Sequence, residues 1–245
     1  MKNIKTLAII GCDAPSSVVK GLSSLGFEPL LLPSEDRLQA PVRSHADMLI
    51  CVMDDRVFCS VKYFNENPCI FDRIKSYGYT VTPCDTAIGE KYPEDIAFNL
   101  IYTKNSLIGK LSHSAKEITE YANTNNIKNI CVNQGYAKCS TLLLDQKGVI
   151  CADDGIINAA RSIGLEALKI SNTQDSIDLP GYTYGFIGGA SGVLDKKVYF
   201  CGDVTKHPQE KEIAEFCEKL GFEVISLCSE KLYDVGGITF LPPLL

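Results

Sequence analysis

Three short stretches carry residue types from which a catalytic or binding centre can be built. His45-Ala46-Asp47 sets a base and a carboxylate two residues apart. On an extended strand both point to one face, where the acid would orient the imidazole; the same pair also serves as an ordinary polar start to a strand. Lys138-Cys139 puts a cation beside a thiol, which favours the thiolate and so a nucleophile, although the many other cysteines make a core role the competing reading. Residues 185–192 are glycine-rich in the manner of a phosphate loop. Such a loop opens a helix, and residues 193–198 read instead as strand and turn, so Gly188 and Gly189 are expected to remove side chains where backbones crowd or a ligand lies. Asp153-Asp154 invites a metal, but Asp154 as a helix N-cap explains it, and no metal site is expected. His207-Pro208 marks the start of the last helix, and His113 lies in a polar loop.

Composition narrows the class of function. The formal net charge of −6, with Lys and Arg scattered, leaves no footprint for a phosphate backbone, so no nucleic-acid partner is expected. Every apolar run falls short of the roughly 18 residues that span a bilayer, and no membrane partner is expected. Lys2 and Lys5 before Leu7-Ala8-Ile9-Ile10 and Gly11-Cys12 outline a lipoprotein leader, but the run is too short and residues 6–11 read better as a buried strand. The 11 cysteines are odd in number and include no C-x-x-C pair. Cys12, Cys51, Cys59, Cys131, Cys201 and Cys228 lie in or beside β-rich apolar runs and read as small core residues, which fits a reducing cytoplasm.

The elements that must position these residues repeat along the chain. A short amphipathic helix, a turn residue and a β-rich run recur over 17–32, 71–83, 115–132, 156–170 and 212–227. Gly26, Gly78, Gly164 and Gly221 supply the left-handed residue after the helix, with Asn125-Asn126 in the third repeat. In the last helix Ile213, Phe216, Cys217 and Leu220 share one face. Before each of the four later helices, two apolar runs flank a polar turn: 47–52 with 56–60, 96–102 with 106–109, 140–144 with 149–152, and 186–194 with 198–202. The first helix has only residues 6–11 before it, and the chain ends in an unaccompanied run, 238–245. Pairing these two completes a fifth unit. Residues 1–245 therefore read as a single domain, an α/β propeller of five pseudosymmetric ββαβ units closed by its N- and C-terminal strands. The competing architecture, an open doubly wound sheet, offers one strand between helices where this sequence offers three.

In such a ring the residues that open the first strand of each unit face the axis. The candidates are His45 and Asp47 in the first unit, Asp95 and Asn99 in the second, and Lys138, Cys139 and Ser140 in the third. Ser191, beside Gly188 and Gly189, comes from the fourth, and Thr239 from the closing strand.

Five ββαβ units about an axis resemble the pentein superfamily of guanidino-group-modifying enzymes, which holds arginine deiminases, dimethylarginine hydrolases and amidinotransferases. From residue 198 to 244 the order is strand, Gly202-Asp203, His207-Pro208, helix, strand, Ser229-Glu230-Lys231, then Asp234-Val235-Gly236-Gly237-Ile238-Thr239. This resembles the end of a dimethylarginine hydrolase, where a Ser-Glu element precedes a D-G-G-x-T run. Residues 135–139 resemble the stretch that carries that family's catalytic histidine. With residues 185–189, the pattern over 40–245 is similar to an uncharacterised bacterial family of this fold. The resemblance implies a nucleophilic cysteine after the threonine of the last strand and a histidine in the third unit. Phe240 stands in the first place and Tyr136 or Ala137 in the second, so hydrolysis by the family's route is not expected, and Tyr136 joins the ligand-contact candidates.

The function expected is that of a pseudoenzyme: a non-catalytic or diverged binder of a small guanidino- or amino-acid-like ligand, or of a protein partner, at the axis. The superfamily's ribosome anti-association factor uses the fold in that way. The alternative is a hydrolase or amidinotransferase-like enzyme on a small C–N substrate, using Cys139 or a water activated by His45 and Asp47. A nucleotide-binding enzyme follows only from an open sheet. No cofactor is expected.

Overall fold

The computed structural model describes residues 4–244. Lys2 of the leader-like stretch and Leu245 at the end of the expected last strand lie outside the described residues.

The chain runs β1 (Leu7–Gly11), α1 (Ser16–Ser24), β2 (Glu28–Leu32), α2 (Ala46–Leu49), β3 (Ile50–Met53), β4 (Arg56–Ser60), α3 (Val61–Glu66), α4 (Pro68–Lys75) and β5 (Thr80–Cys84). It continues with β6 (Ile101–Tyr102), β7 (Ser106–Gly109), α5 (Lys116–Thr124), β8 (Lys128–Cys131), α6 (Ala137–Ser140), β9 (Thr141–Leu144), β10 (Gly148–Cys151), α7 (Asp154–Ser162) and β11 (Glu166–Lys169). The last elements are β12 (Ser191–Leu194), β13 (Lys197–Phe200), α8 (Glu210–Lys219), β14 (Glu223–Ser226) and β15 (Thr239–Leu241).

These strands form five three-stranded sheets of one pattern. A middle strand (β1, β4, β7, β10 or β13) has an antiparallel neighbour on one side and, across a helical crossover, a parallel neighbour on the other. Middle strands read as continuous apolar runs because both their faces are covered: Leu7 to Ile10 are all at 0% exposure. Burying each leucine or isoleucine of this run contributes about 1.5–3 kcal/mol. The first sheet joins both ends of the chain as expected, with β15 antiparallel to β1 and Leu7 opposite Leu241. Among the described residues no sheet exceeds three strands, which removes the open doubly wound alternative. No helix among the described residues is long and apolar enough to cross a membrane.

The helix-ending residues behave as the repeat requires: Gly26, Gly78, Gly164 and Gly221 have φ of 91°, 93°, 82° and 78°, and Asn126 has 58°. Other expectations are corrected. The second crossover holds two helices, broken at Asn67-Pro68; the Ser60 hydroxyl caps α3 by accepting from the Tyr63 N–H at 3.2 Å, and proline opens α4. Asp153, not Asp154, caps α7 through the Ile156 N–H at 2.9 Å, while Asp154 pairs with Lys169 at 2.7 Å. His207-Pro208 precede α8 by a turn, and His207 Nδ1 accepts from the Gln209 N–H at 3.1 Å. Cys51, Cys59 and Cys201 are core residues and Cys228 is half-buried, but Cys12 and Cys131 are exposed. Cys12 follows the end of β1, and Cys131 ends β8, an outer strand paired on one side only.

The starts of the first strands differ most from the sequence reading. Residues 46–49 and 137–140 are single helical turns, 187–190 form a further turn, and β6 is only two residues long. His45 and Asp47 therefore do not alternate along a strand, and Ser140 ends a helical turn rather than opening β9.

Candidate functional site

The helical turns bring residues remote in sequence to one place. In each, the backbone closes on itself before the strand begins: the Met48 N–H donates to the His45 carbonyl at 3.0 Å, the Ser140 N–H to Tyr136 at 3.0 Å, and the Ala190 N–H to Phe186 at 3.0 Å. Asn99, fully buried, ties three segments together. Its Oδ1 accepts from the Lys138 and Cys139 N–H groups at 2.7 and 3.2 Å, and its Nδ2 donates to Cys139 Sγ at 2.9 Å and Met48 Sδ at 3.3 Å. The Asp47 N–H donates to the Gly236 carbonyl at 3.2 Å, joining α2 to the segment before β15.

Gly188 lies where backbones crowd, as expected, and Gly189 where a side chain does. A Cβ on Gly188 would run into the carbonyls of Lys138 and Thr141, and one on Gly189 into the Asp234 carboxylate. The Gly189 N–H donates to the Cys139 carbonyl at 2.8 Å, and its own carbonyl accepts from Val235 and Gly237. Gly236 has φ of 75° and would meet His45 with any Cβ, so the D-V-G-G run is shaped by the histidine it packs on.

Asp234, 1% exposed, is the carboxylate that meets His45. Its Oδ2 accepts from the Phe186 N–H at 2.8 Å, its Oδ1 accepts from the Gly236 N–H at 3.0 Å, and His45 Nδ1 lies 3.7 Å from Oδ1. Burial pushes the His45 pKa below its ordinary value against the opposing pull of Asp234, which leaves the imidazole neutral at pH 7. The pairing expected of His45 with Asp47 is made with Asp234 instead.

The charge environment of Cys139 is also the reverse of the expectation. Burial, then Asp47 and Asp234, push its thiol well above the ordinary value, and Lys138 does not offset them. Burial lowers the Lys138 ammonium, opposed by Asp47, and raises the Asp47 carboxyl, reinforced by Asp234. The Cys139 thiol lies against Asp47 without completing a hydrogen bond of good geometry. Asp95, raised by burial, accepts from the Tyr136 hydroxyl at 2.6 Å.

A cavity of about 250 Å³ opens on this cluster. His45, Asp234 and Cys139 line it, and Tyr136, Tyr182, Tyr184 and Phe186 form an aromatic wall. Phe186 stands 6.5 Å from the Tyr136 ring and 6.0 Å from that of Tyr184. The segment carrying the last three rings is pinned by the Gly185 N–H on the Ile177 carbonyl at 2.8 Å and by Lys231 on Asp178 at 2.6 Å. A larger cavity, about 850 Å³, is lined by Asp47, Lys138, Gly188, Ser191 and Thr239. The candidates thus divide. His45, Cys139 and Tyr136 share the smaller cavity; Asp47, Lys138, Gly188, Ser191 and Thr239 share the larger; Asn99, Asp95, Ser140 and Gly189 brace the walls. Sequence reasoning missed Asp234, although the D-V-G-G run displayed it, and missed the rings at 182–186, which no periodicity marks.

Among solved structures, the chain is similar to dimethylarginine dimethylaminohydrolase from Pseudomonas aeruginosa complexed with citrulline, with 9% identity, covering 96% of this chain and 95% of that one, and a TM-score of 0.57. An amidinotransferase of the saxitoxin pathway from Microseira wollei gives 10% identity, 94% and 79% coverage and 0.57. The N-terminal domain of an arginine dihydrolase of the cyanobacterial ornithine–ammonia cycle, bound to substrate, gives 11%, 96% and 95%, and 0.58. These likenesses show a shared mixed α/β fold, that of the penteins. No curated protein matches the chain. A family model described as "Family of unknown function (DUF6873)" matches residues 9–239, and the chain belongs to that family.

Proposed function

We propose that the whole chain forms one α/β propeller, its five sheets standing about a common axis, and that the smaller cavity at one end of that axis binds a small cation of the guanidino or amino-acid kind without turning it over. The observation that carries the reading is the buried Asp234 carboxylate opening on the same cavity as four aromatic rings. A planar cation gains from both, pairing with the carboxylate and stacking on the rings; a cation over an aromatic face contributes about 0.5–2 kcal/mol. The neutral state of His45 leaves that negative charge uncancelled. At about 250 Å³ the cavity falls below the roughly 300–1,000 Å³ of pockets for drug-sized ligands, so the ligand is small or enters by its head group. The citrulline complex, the amidinotransferase and the arginine dihydrolase of like fold support guanidino chemistry as the ligand class.

Two features argue against turnover. The Cys139 thiol is held protonated, and Phe240, where the resemblance places the nucleophile, packs between Phe27 and Tyr199 at 4.9 and 5.1 Å. One observation favours a hydrolytic second reading: neutral His45, 3.7 Å from Asp234, has the makings of a base for water.

Thermal shift with methylguanidine, agmatine and L-arginine, against the neutral isostere L-citrulline, tests the proposal. A ligand at 100 times its Kd stabilises by about 2.7 kcal/mol. Shifts with the cations alone, lost in Asp234→Asn and reduced in Tyr182→Ala, are expected. No shift with any cation sinks the reading, and ammonia or urea release would move it to the hydrolytic one.

A further inference from the structure

The larger cavity runs along the first strands of the sheets to their hairpin turns, away from the aromatic wall. At its inner end three polar atoms have no partner: both Asp47 carboxylate oxygens and the Thr141 hydroxyl, in residues 4% and 0% exposed. An unpaired buried polar atom costs about 1–3 kcal/mol, so the two on Asp47 point to a missing occupant, while the Thr141 hydroxyl, on the same lining, lies against the Cys151 thiol. Lys138 shares that end, and its charge and that of Asp47 act on each other. No hydrogen bond joins the two, because the carboxylate oxygens are unpartnered. A ligand that serves both must donate to a carboxylate and accept from an ammonium.

Outward from this end the walls are apolar, with Ile50, Phe98, Leu100, Leu142, Val193 and Ile238. At the mouth, Asp54, Asp145 and Asp195 stand among Lys104, Lys147 and Lys196, so the two signs balance and the mouth draws in neither anion nor cation.

We propose that this cavity is a binding site for a free α-amino acid with an apolar side chain, its ammonium on Asp47, its carboxylate on Lys138 and Thr141, and its side chain along the apolar walls. The site stands apart from the smaller cavity and does not depend on what that cavity binds. An α-amino acid offers a partner to both groups at once, its ammonium drawing the proton off an Asp47 carboxyl that burial raises to about 8, whereas an amine or an acid alone leaves one of them without a partner. Burial shifts Asp47 up and Lys138 down, as charges without partners behave.

Titration calorimetry of the full chain with L-phenylalanine and L-leucine, beside 3-phenylpropionate and 2-phenylethylamine, tests the site. The amino acids are expected to bind at least tenfold more tightly than the acid or the amine. Asp47→Asn and Lys138→Met each weaken L-phenylalanine at least tenfold, and Thr141→Val, which exchanges a hydroxyl for a methyl of similar size, weakens it severalfold. A crystal soaked in L-phenylalanine shows it bridging Asp47 and Lys138. Equal affinity for the acid or the amine, an unchanged affinity in Thr141→Val and Lys138→Met, waters alone between Asp47 and Lys138 in the soaked crystal, or L-phenylalanine seated in the aromatic cavity would each overturn the proposal.

Discussion

Replacing Asn99 by alanine takes the acceptor away from two buried N–H groups, those of Lys138 and Cys139, and the donor away from the Cys139 and Met48 sulfurs. Each orphaned buried N–H costs about 1–3 kcal/mol, the sulfur contacts add less, and the truncated side chain leaves a void, which together place the loss near about 4 kcal/mol. Urea unfolding at pH 7 reads this directly: with m of about 2 kcal/mol/M the midpoint falls by about 2 M while m stays constant. Asn99→Asp keeps the acceptor oxygen but adds a carboxylate beside Asp47. It should be as unstable as the alanine variant at pH 7, and should regain ground on wild type measured at the same pH as the solution is acidified and the new acid is neutralised. A loss under about 1 kcal/mol for Asn99→Ala, at unchanged m, would refute the reasoning, since it would mean that these amides find other partners at no cost.

Three further outcomes follow from the same geometry. The folded pKa of His45 lies below its unfolded value, so the unfolded chain takes up a proton that the folded chain refuses; stability present at neutral pH is lost as pH falls below about 6.5, and His45→Gln flattens that slope, with NMR titration of the imidazole at or above 6.5 counting against the assignment. Iodoacetamide at pH 8 should label the exposed Cys12, Cys69 and Cys131 in the folded protein and Cys139 only after unfolding, because its thiol is buried and held protonated; early modification of Cys139 in peptide maps would contradict this. Gly236→Ala should lower stability by about 2 kcal/mol or more, since a left-handed backbone costs a side chain about 1–2 kcal/mol before its Cβ meets His45, and a variant with an unchanged melting temperature would show that the run is free to shift.

The repeat was legible because each unit states it in two independent periods. Apolar residues three and four apart mark helices such as α8, short apolar runs mark the hairpins, and Gly26, Gly78, Gly164, Gly221 and Asn126 punctuate them. The join of β1 to β15 followed from counting unpartnered strands. The turns at 46–49 and 137–140 did not show, since a helical turn buried nearly all round has no polar face and its residues read as strand. The site was legible only as a neighbourhood. Sequence marks which residues open the first strands, but the partner of His45 comes from residue 234 and the aromatic wall from an irregular crossover, both chosen by packing. The sign of the thiol shift at Cys139 was also out of reach, because the adjacent lysine is less influential than burial and the two aspartates that folding brings up.

The sheet made from both ends of the chain has a consequence for synthesis. β1 and β2 can pair as soon as both have left the ribosome, but the other edge of β1, with Leu7, Ala8 and Ile9, has no partner until residues 239–241 have been made. An apolar strand with one bare edge is a template for pairing with another chain, and contacts this distant in sequence form late. The nascent protein therefore carries that edge bare until residues 239–241 emerge, and β15 acts as the latch that retires it.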